Sequence, residues 1–336
     1  MAGYENIQLE KGMYAVPGKS FTQVLEELDR SENYRGTPLE GLDAYQRQLK
    51  RFDIKVSGPG SDTVERFFAT TSGAALFPEY VARAVRQGMD RANKVTDLVA
   101  TVTHIDAMDY RGINADGEDG DWTMAQVEEG AQLPETTLRT STGLVKLRKR
   151  GRVLSSSYEA LRFQKLDLFT VTLRQIGAYI GVSLNLDAVN TIINGDGSKT
   201  GISFASSSAL SYGDFLSLWG SLAPYELNAI AAGTKGIQDL LQISEFKDAQ
   251  AGLNFQGTGK LCTPLGATLV HIPGMEDGKI IALDKNCALE MVQAGDILTD
   301  YDRLIDRQLD RTAISVMAGF ARLYAGAAQG VSYTAG

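Results

Sequence analysis

A dense acidic stretch lies in the first half of the chain. Residues 115–122 read ADGEDGDW, so that four carboxylates, those of Asp116, Glu118, Asp119 and Asp121, fall within six positions. Carboxylates at this density could bind a divalent cation, and a calcium loop is the motif to test. Counted from Asp116 or from Asp119, however, the fifth and sixth positions do not supply an oxygen ligand followed by glycine. The spacing therefore predicts no metal site.

Other short motifs that could carry chemistry also fail on their spacing. The run PGKS at residues 17–20 lacks the glycine that a phosphate-binding loop needs at position 13, which is Met13. Residues 257–260, GTGK, lack the third glycine of a dinucleotide fingerprint. His104 and His271 lie in apolar runs without a GxSxG motif and are interpreted as packing histidines. The sequence thus predicts no catalytic residues and no cofactor, and we do not expect an enzyme.

The bulk composition is that of a globular protein. The chain has 336 residues, 43% hydrophobic and 22% charged, which leaves room for one large or two medium domains. Cys262 and Cys287 lack CxxC spacing, so neither a disulfide framework nor a zinc site is predicted, and a reducing cytoplasm fits. There is no run of about 18 apolar residues to span a bilayer, and the N-terminus does not read as a signal peptide. We therefore expect neither secretion nor membrane insertion.

Charge is sharply segregated along the chain. Residues 104–135 carry nine acidic residues and one basic residue, a balance of −8 that equals the net charge of the whole chain. Residues 139–152 follow with six basic residues and no acidic one. One interpretation is a solvated acidic loop beside a solvated strand face. The other is a pair of segments that are complementary across an interface. Contact of the basic run with phosphate is disfavoured because no aromatic residues are interleaved with it.

Two short amphipathic helices are predicted near the N-terminus. Ser20 and Gln23 form a capping-box pattern at the first, and Thr37 as N-cap with Pro38 at the first helical position indicates the second. The apolar stripes are Phe21, Leu25 and Leu28 in the first helix, and Leu42, Leu49 and Phe52 in the second. Helices this short are unstable alone, so the main domain or a neighbouring subunit must bury them.

The strongest pattern is a long helix over residues 163–194, which NGDG at residues 194–197 should end. Gly177 and Gly181, one turn apart within it, would let another backbone pass closely. A strand is predicted over residues 98–105, and the glycines of the acidic segment that follows favour a hairpin-like excursion. The other predicted elements are helices from Phe77 and over 212–222 and 237–243, and strands over 268–272, 280–283 and 313–324, the last buried on both faces. The expected class is α+β.

The segment of residues 127–202 resembles the major capsid proteins of tailed bacteriophages, which have the Hong Kong 97-type fold. The resemblance rests on an EGAxxP element at residues 129–134, on Ser157, Glu159 and Leu161 in a SxExL turn, and on the long "spine" helix with its NGDG end. The order and spacing of these motifs carry it, and it extends to the closing strands near the C-terminus.

The resemblance implies a division of the chain and a function. The implied parts are an N-terminal arm (1–77), a peripheral domain (78–102, 139–211 with the spine helix, and 298–336), an extended loop (103–138) and an axial domain (212–297). The function would be self-assembly into hexamers and pentamers of an icosahedral head around double-stranded DNA, contacted without sequence specificity. An encapsulin-like shell around cargo enzymes is the alternative. The protein would reside in the virion after assembly in the bacterial host cytoplasm, with a separate scaffolding protein and a portal as partners and no membrane.

Three surfaces are predicted to contact neighbouring subunits. They are the extended loop (Asp116, Glu118, Asp119, Asp121, Trp122, Glu128, Glu129), the basic strand (Lys146, Arg148, Arg150, Arg152) and the arm (Phe21, Leu25, Leu28, Leu42, Leu49, Phe52). Some members of the family cross-link their loop to a neighbour through a lysine. This loop contains no lysine between His104 and Leu138, so we do not expect that cross-link here.

Overall fold

The computed structural model describes residues 4–16, 19–107, 109–115, 126–133, 138–141, 143–157, 159, 163–247, 265–304 and 306–334. The chain divides into two compact units. The first comprises Met1–Ala92, Lys149–Gly181 and Gly295–Met317, and the second comprises Asn93–Arg148, Val182–Ala294 and Ala318–Gly336. The predicted arm falls wholly within the first unit, and the predicted axial domain falls within the second except for its last three residues. The predicted domain boundaries themselves stay predictions.

The first unit begins with a helical pair, α1 (Phe21–Leu28) and α2 (Ala44–Arg51). The capping box predicted for α1 is confirmed, since the Gln23 amide donates to Ser20 Oγ at 3.3 Å and the Ser20 amide donates to Gln23 Oε1 at 2.7 Å. The predicted start of α2 at Thr37 is wrong. Gly41 has a φ of +81°, which no right-handed helix contains, so α2 starts only after Asp43, whose side chain caps it.

Two longer helices cross in the first unit, α4 (Phe77–Ala92), which follows the short α3 (Thr71–Ala74), and the N-terminal part of α5 (Leu166–Asn194). A Cβ added at Gly177 would lie 2.0 Å from the carbonyl oxygen of Val85, and one added at Gly88 would lie 1.9 Å from that of Arg174. The close approach predicted at Gly177 is confirmed, and Gly88 is its unforeseen counterpart on α4. The crossing therefore requires a glycine on each helix.

The second unit is built on a five-stranded sheet of order β5-β11-β8-β6-β7. Its strands are β5 (Phe204–Ser207), β6 (Ala229–Ala232), β7 (Thr268–His271), β8 (Lys279–Leu283) and β11 (Ala328–Tyr333). Helices α6 (Tyr212–Ser221) and α7 (Thr234–Gln242) pack on it, and the short α8 (Ser244–Lys247) follows. Phe215 and Leu218 of α6 and Leu240 of α7 are buried in one core with residues of β6, β7, β8 and β11. This core is what orders the unit.

A second sheet has the order β1-β9-β10-β4. Its strands are β1 (Thr101–Ile105), β4 (Arg148–Ser157), β9 (Leu289–Leu304) and β10 (Leu309–Arg322). β1 pairs with β9 in parallel, and Thr103 lies opposite Val292. The prediction that the strand of residues 313–324 is buried on both faces holds only for its later part. Up to residue 317, β10 alternates buried and half-buried positions, as a strand with one covered face does.

The long helix α5 is also apolar enough to pass a membrane-span test among the described residues. One 18-residue window within it has a mean hydropathy of 1.3, and half of that window is buried inside the protein. A core helix of a globular protein passes the same test, so the finding is weak evidence for a membrane segment.

The helix crossing leads to a stability prediction. Changing Gly177 to alanine should lower the free energy of unfolding by about 1–3 kcal/mol, because the new methyl group overlaps a carbonyl oxygen of α4. Gly220 in α6 is a matched control, since a Cβ there meets nothing within 4 Å. Its change to alanine should stabilise slightly through helix propensity. Urea unfolding followed by circular dichroism measures both, and equal stability of the Gly177 variant and the wild type would contradict the crossing.

Candidate subunit interface

Two short paired strands flank the middle of the acidic segment. β2 (Ile113–Ala115) and β3 (Leu138–Thr140) are antiparallel, with Asn114 opposite Arg139. Below them the Ser141 amide donates to the Gly112 carbonyl at 2.8 Å. Residues 116–137 therefore connect two paired strands, which confirms the predicted hairpin-like excursion at its base. The predicted contact residues Asp116, Glu118, Asp119, Asp121 and Trp122 lie outside the described residues.

A buried carboxylate anchors this base. Glu290 of β9 is 5% exposed and accepts hydrogen bonds from Thr103 Oγ1 at 2.5 Å and from the Tyr110 hydroxyl at 2.8 Å. Burial and the bond to Glu290 raise the pKa of Tyr110. The Val145 amide donates to the Tyr110 carbonyl at 2.9 Å, and Val145 packs in a small apolar cluster with Val292. Glu290 is a lone acid in an apolar strand, which is the sequence signal that could have identified it.

The described part of the loop, residues 126–133, is open to solvent. Glu128 and Glu129, both predicted contact residues, are exposed, and Leu133 is 72% exposed. An exposed leucine beside exposed carboxylates suits a surface that another chain covers.

The four predicted contact residues of the basic strand differ in their exposure and in their ion pairing. Arg148 Nη1 lies 2.9 Å from Oδ1 of Asp187, a buried residue of α5, so its charge is compensated within the chain. Arg150 is half-buried, whereas Lys146 and Arg152 are exposed. Lys149, which was not among the predicted contact residues, is exposed as well. Arg148 is therefore engaged by a carboxylate of its own chain, whereas Lys146, Lys149 and Arg152 are exposed.

A cavity of about 130 Å³ in the second unit adjoins Lys146 and Arg148. Asp187 and Asp196 also line it, so two cations and two carboxylates face one space. The Asp196 carboxylate accepts from the amides of Ser198 at 2.8 Å and Lys199 at 2.7 Å, which closes the turn after α5. The balanced charge makes this cavity a poor receptor for an anion.

The predicted contact residues of the arm also differ in their exposure. Phe21, Leu25 and Leu49 are 2%, 0% and 7% exposed, and the chain itself buries them. Leu42 and Phe52 are half-buried, and only Leu28 is largely exposed, at 57%. A contact between the arm and another subunit stays a prediction, for which Leu28, Leu42 and Phe52 are the available residues.

Arg83 holds the N-terminal helical pair to α4. Its Nη1 donates to Asp43 Oδ2 at 2.7 Å, its Nε to Glu79 Oε1 at 2.9 Å and its Nη2 to Thr22 Oγ1 at 2.8 Å. The guanidinium also lies 4.3 Å from the centre of the Tyr45 ring. Burial acts to lower the pKa of Arg83, but the bonds to the two carboxylates raise it above its usual value. The arm is therefore docked on its own chain.

Arg47 holds the arm together internally. Its side chain is fully buried, with Nε 2.7 Å from Asp29 Oδ2. Nη1 donates to Ser31 Oγ at 2.9 Å and to the Leu42 carbonyl at 2.6 Å. The Tyr34 ring lies 4.4 Å from the guanidinium carbon. A buried arginine with this many partners connects both helices and the segment between them.

Two helices expose apolar faces that the sequence analysis missed. On α5, Leu168, Val171 and Tyr179 are 62%, 56% and 60% exposed, and on α6, Leu216 and Trp219 are 45% and 58% exposed. Isolated exposed apolar residues are ordinary, but groups at helical spacing on one face indicate a surface for a partner.

The interpretation of the histidines as packing residues is wrong. His104 and His271 lie in β1 and β7, each at the edge of its sheet, and their side chains are exposed. His271 Nε2 lies 2.9 Å from Thr234 Oγ1. Within the part of the chain that the structure describes, no three His, Cys, Asp or Glu residues are grouped so as to hold a metal ion.

Comparison with known proteins identifies the fold. No family model and no curated protein sequence matches this chain. Among solved structures, the capsid of a native GTA particle is similar, with 16% identity, a TM-score of 0.52, and coverage of 71% of this chain and 90% of that chain. A chain from Microbacterium phage Oxtober96 is 8% identical with the same TM-score, over 72% of this chain and 91% of that one. The virus-like particle from Pyrococcus furiosus is 12% identical at a TM-score of 0.49, over 76% and 98%. The first two show that this chain shares their fold, which confirms the predicted α+β capsid fold.

Proposed function

We propose that this chain is a major capsid protein that assembles with copies of itself into the hexamers and pentamers of an icosahedral phage head. The observation that carries the proposal is the fold shared with the GTA capsid chain over 90% of that chain's length. The head would enclose double-stranded DNA, contacted weakly and without sequence specificity. The DNA follows from the resemblance to phage capsid proteins, and the predicted absence of enzymatic activity follows from the lack of a catalytic motif in the sequence.

The loop supplies a physical reason for ring formation. A long excursion that packs on nothing costs conformational entropy without burying surface. Laid over the next subunit, it adds area to every contact, and repetition of one heterologous contact closes a ring. The paired base formed by β2 and β3, and the bonds of Glu290 below it, would fix the direction in which the loop leaves the subunit.

The exposed apolar faces support self-association. The faces of α5 and α6 hold five large apolar side chains that are each at least 45% exposed. Burying such surface against other copies is favourable by roughly 25 cal/mol per Å². An assembly that covers these faces accounts for the exposure of these side chains in the single chain.

Other partners follow from the proposed role. A separate scaffolding protein would guide assembly in the bacterial host cytoplasm, a portal would occupy one vertex, and the mature protein would reside in the virion. No cofactor and no membrane take part. Each of these statements depends on the capsid role.

Electron microscopy of the purified chain tests the proposal. We expect closed shells or rings of five and six subunits at high protein concentration. Nucleic acid in shells assembled in cells would support a phage head, whereas enclosed enzymes would support an encapsulin-like shell instead. A protein that remains monomeric in light scattering at high concentration would contradict both.

A further inference from the structure

A single buried carboxylate links the strands on both sides of the acidic segment. Glu290 Oε1 accepts a hydrogen bond from Thr103 Oγ1 at 2.5 Å, and Thr103 lies in β1, just before the segment. The same oxygen accepts a bond from the Tyr110 hydroxyl at 2.8 Å. The Tyr110 carbonyl in turn accepts from the amide of Val145, after the end of the segment, at 2.9 Å. Both sides of the excursion therefore depend on one side chain of β9.

Burial makes this carboxylate depend on its hydrogen bonds. Glu290 is 5% exposed, and no cation pairs with it among the described residues. A charged group that leaves water without an ion-pair partner is unfavourable unless hydrogen bonds compensate it. Bonds to a charged group are roughly twice as strong as neutral ones. The two hydroxyl donors are therefore what stabilises Glu290 in this position.

The structure around Glu290 is small. β2 and β3 pair over three residues each. The apolar cluster at Val145 has only two other buried members among the described residues, Val292 and Ala321, whereas the core of the five-stranded sheet has many more. Regions with few buried apolar contacts open locally at a lower free energy than the core of a domain. We therefore expect the strands beside the acidic segment to open before the sheet does.

A small cavity adjoins Glu290. Its volume of about 20 Å³ has room for one water molecule. Gly112 also lines it, and a Cβ there would lie 3.8 Å from Glu290 Oε2, an oxygen that accepts no hydrogen bond within the described part of the chain. Lys199 lines the cavity too, but its ammonium donates to a backbone carbonyl. Water in this cavity can donate to Glu290 in place of Thr103 and Tyr110 when the strands separate.

We propose that Thr103, Tyr110 and Glu290 form a latch, which holds the strands beside the acidic segment to β9 and opens locally while the five-stranded sheet stays folded. The closed latch holds β2 and β3 in place, and the open latch releases them together with the residues between them. The latch follows from contacts within one chain. Its effect on assembly rests on the proposed capsid function, because a segment without a fixed direction contacts the next subunit less often.

Hydrogen exchange in the full chain tests the latch. The reporters are the amides of Ser141 and Val145, which bond the carbonyls of Gly112 and Tyr110, and the reference is the amides of the paired strands β6 and β8. In the wild type we expect the reporters to exchange faster than the reference. Tyr110→Phe removes one donor to Glu290, so it should speed exchange of the reporters further, on the order of tenfold, and leave the reference unchanged.

The matched control is Tyr333→Phe. Tyr333 also lies in the second unit, and its hydroxyl donates to Asp239 Oδ2 at 2.9 Å, so the change removes a bond of the same type away from the latch. It should leave the reporters unchanged. Glu290→Gln should speed their exchange as Tyr110→Phe does. The two changes combined should have less than the sum of their separate effects, because both act on the same bond.

Two results would overturn the latch. One is exchange of the reporters at the rate of the reference in the wild type, and the other is an equal response of the reporters to Tyr110→Phe and Tyr333→Phe. Counting shells for the same variants separates the latch from the capsid role. If neither the wild type nor any variant forms shells while the exchange results hold, the capsid role fails and the latch stands. If Tyr110→Phe speeds exchange but forms shells with the yield of the wild type, the latch does not control assembly.

Discussion

Replacing Arg47 with alanine is expected to destabilise the N-terminal helical pair by about 3–5 kcal/mol, the usual cost of breaking a buried ion pair. Arg47 is fully buried, and its partner Asp29 is 3% exposed, so the change leaves a charge without compensation inside the protein. The hydrogen bonds to Ser31 and to the Leu42 carbonyl are lost as well. Amide hydrogen exchange over α1 and α2 measures the effect directly, because local opening of the arm is then distinguished from global unfolding.

The matched control for this change is Arg35→Ala. Arg35 lies in the same segment between the two helices, but its side chain is exposed. We expect little change in exchange protection for it, as for most surface substitutions. If Arg47→Ala and Arg35→Ala had the same protection, Arg47 would not organise the arm.

Deleting residues 1–55 is expected to abolish closed shells. The deletion removes Thr22 and Asp43, two of the groups that bind Arg83, and uncovers the part of α4 on which the arm docks. It also removes Leu28, the most exposed of the predicted contact residues of the arm. Counting closed particles in electron micrographs measures the result, and normal capsids from the truncated chain would refute a role of the arm in assembly.

Because the truncated chain can fail by misfolding, a point variant separates the two roles of the arm. Leu28→Glu changes a side chain that is 57% exposed, so the melting temperature should stay that of the wild type. A lower shell yield at an unchanged melting temperature would place the arm between subunits. A normal yield together with failure of the truncation would confine its role to stabilising its own chain.

Local patterns in the sequence predicted the elements that depend on neighbouring residues. The capping box of Ser20 and Gln23, the long helix and the turn that ends it are all present. Gly195 and Gly197 adopt φ values of +84° and +94° in that turn, which glycine does without strain. The paired base of the acidic loop also followed from composition, since glycines and like charges disfavour a helix.

Contacts between distant parts of the chain could not be read in the same way. Arg47 lies in a polar stretch whose sequence resembles a solvated helix face, and only the fold brings Asp29 and Tyr34 around it. The need for glycine at position 88 is visible only in the tertiary structure, because the backbone of α5 leaves no room there for a side chain. Burial of Phe21 within its own chain was one of two possibilities until the arm was seen to dock.

The charged surfaces show most clearly what the sequence determines and what the tertiary structure adds. The sequence by itself determined that a segment with a net charge of −8 stands next to one with six cations, because charge is a property of residue type. Only the tertiary structure decided that Asp187 compensates Arg148, while Lys149 and Arg152 stay exposed on an edge strand. The physical reason is that the interaction energy of two charges depends on the distance between them and on their burial, and folding sets both.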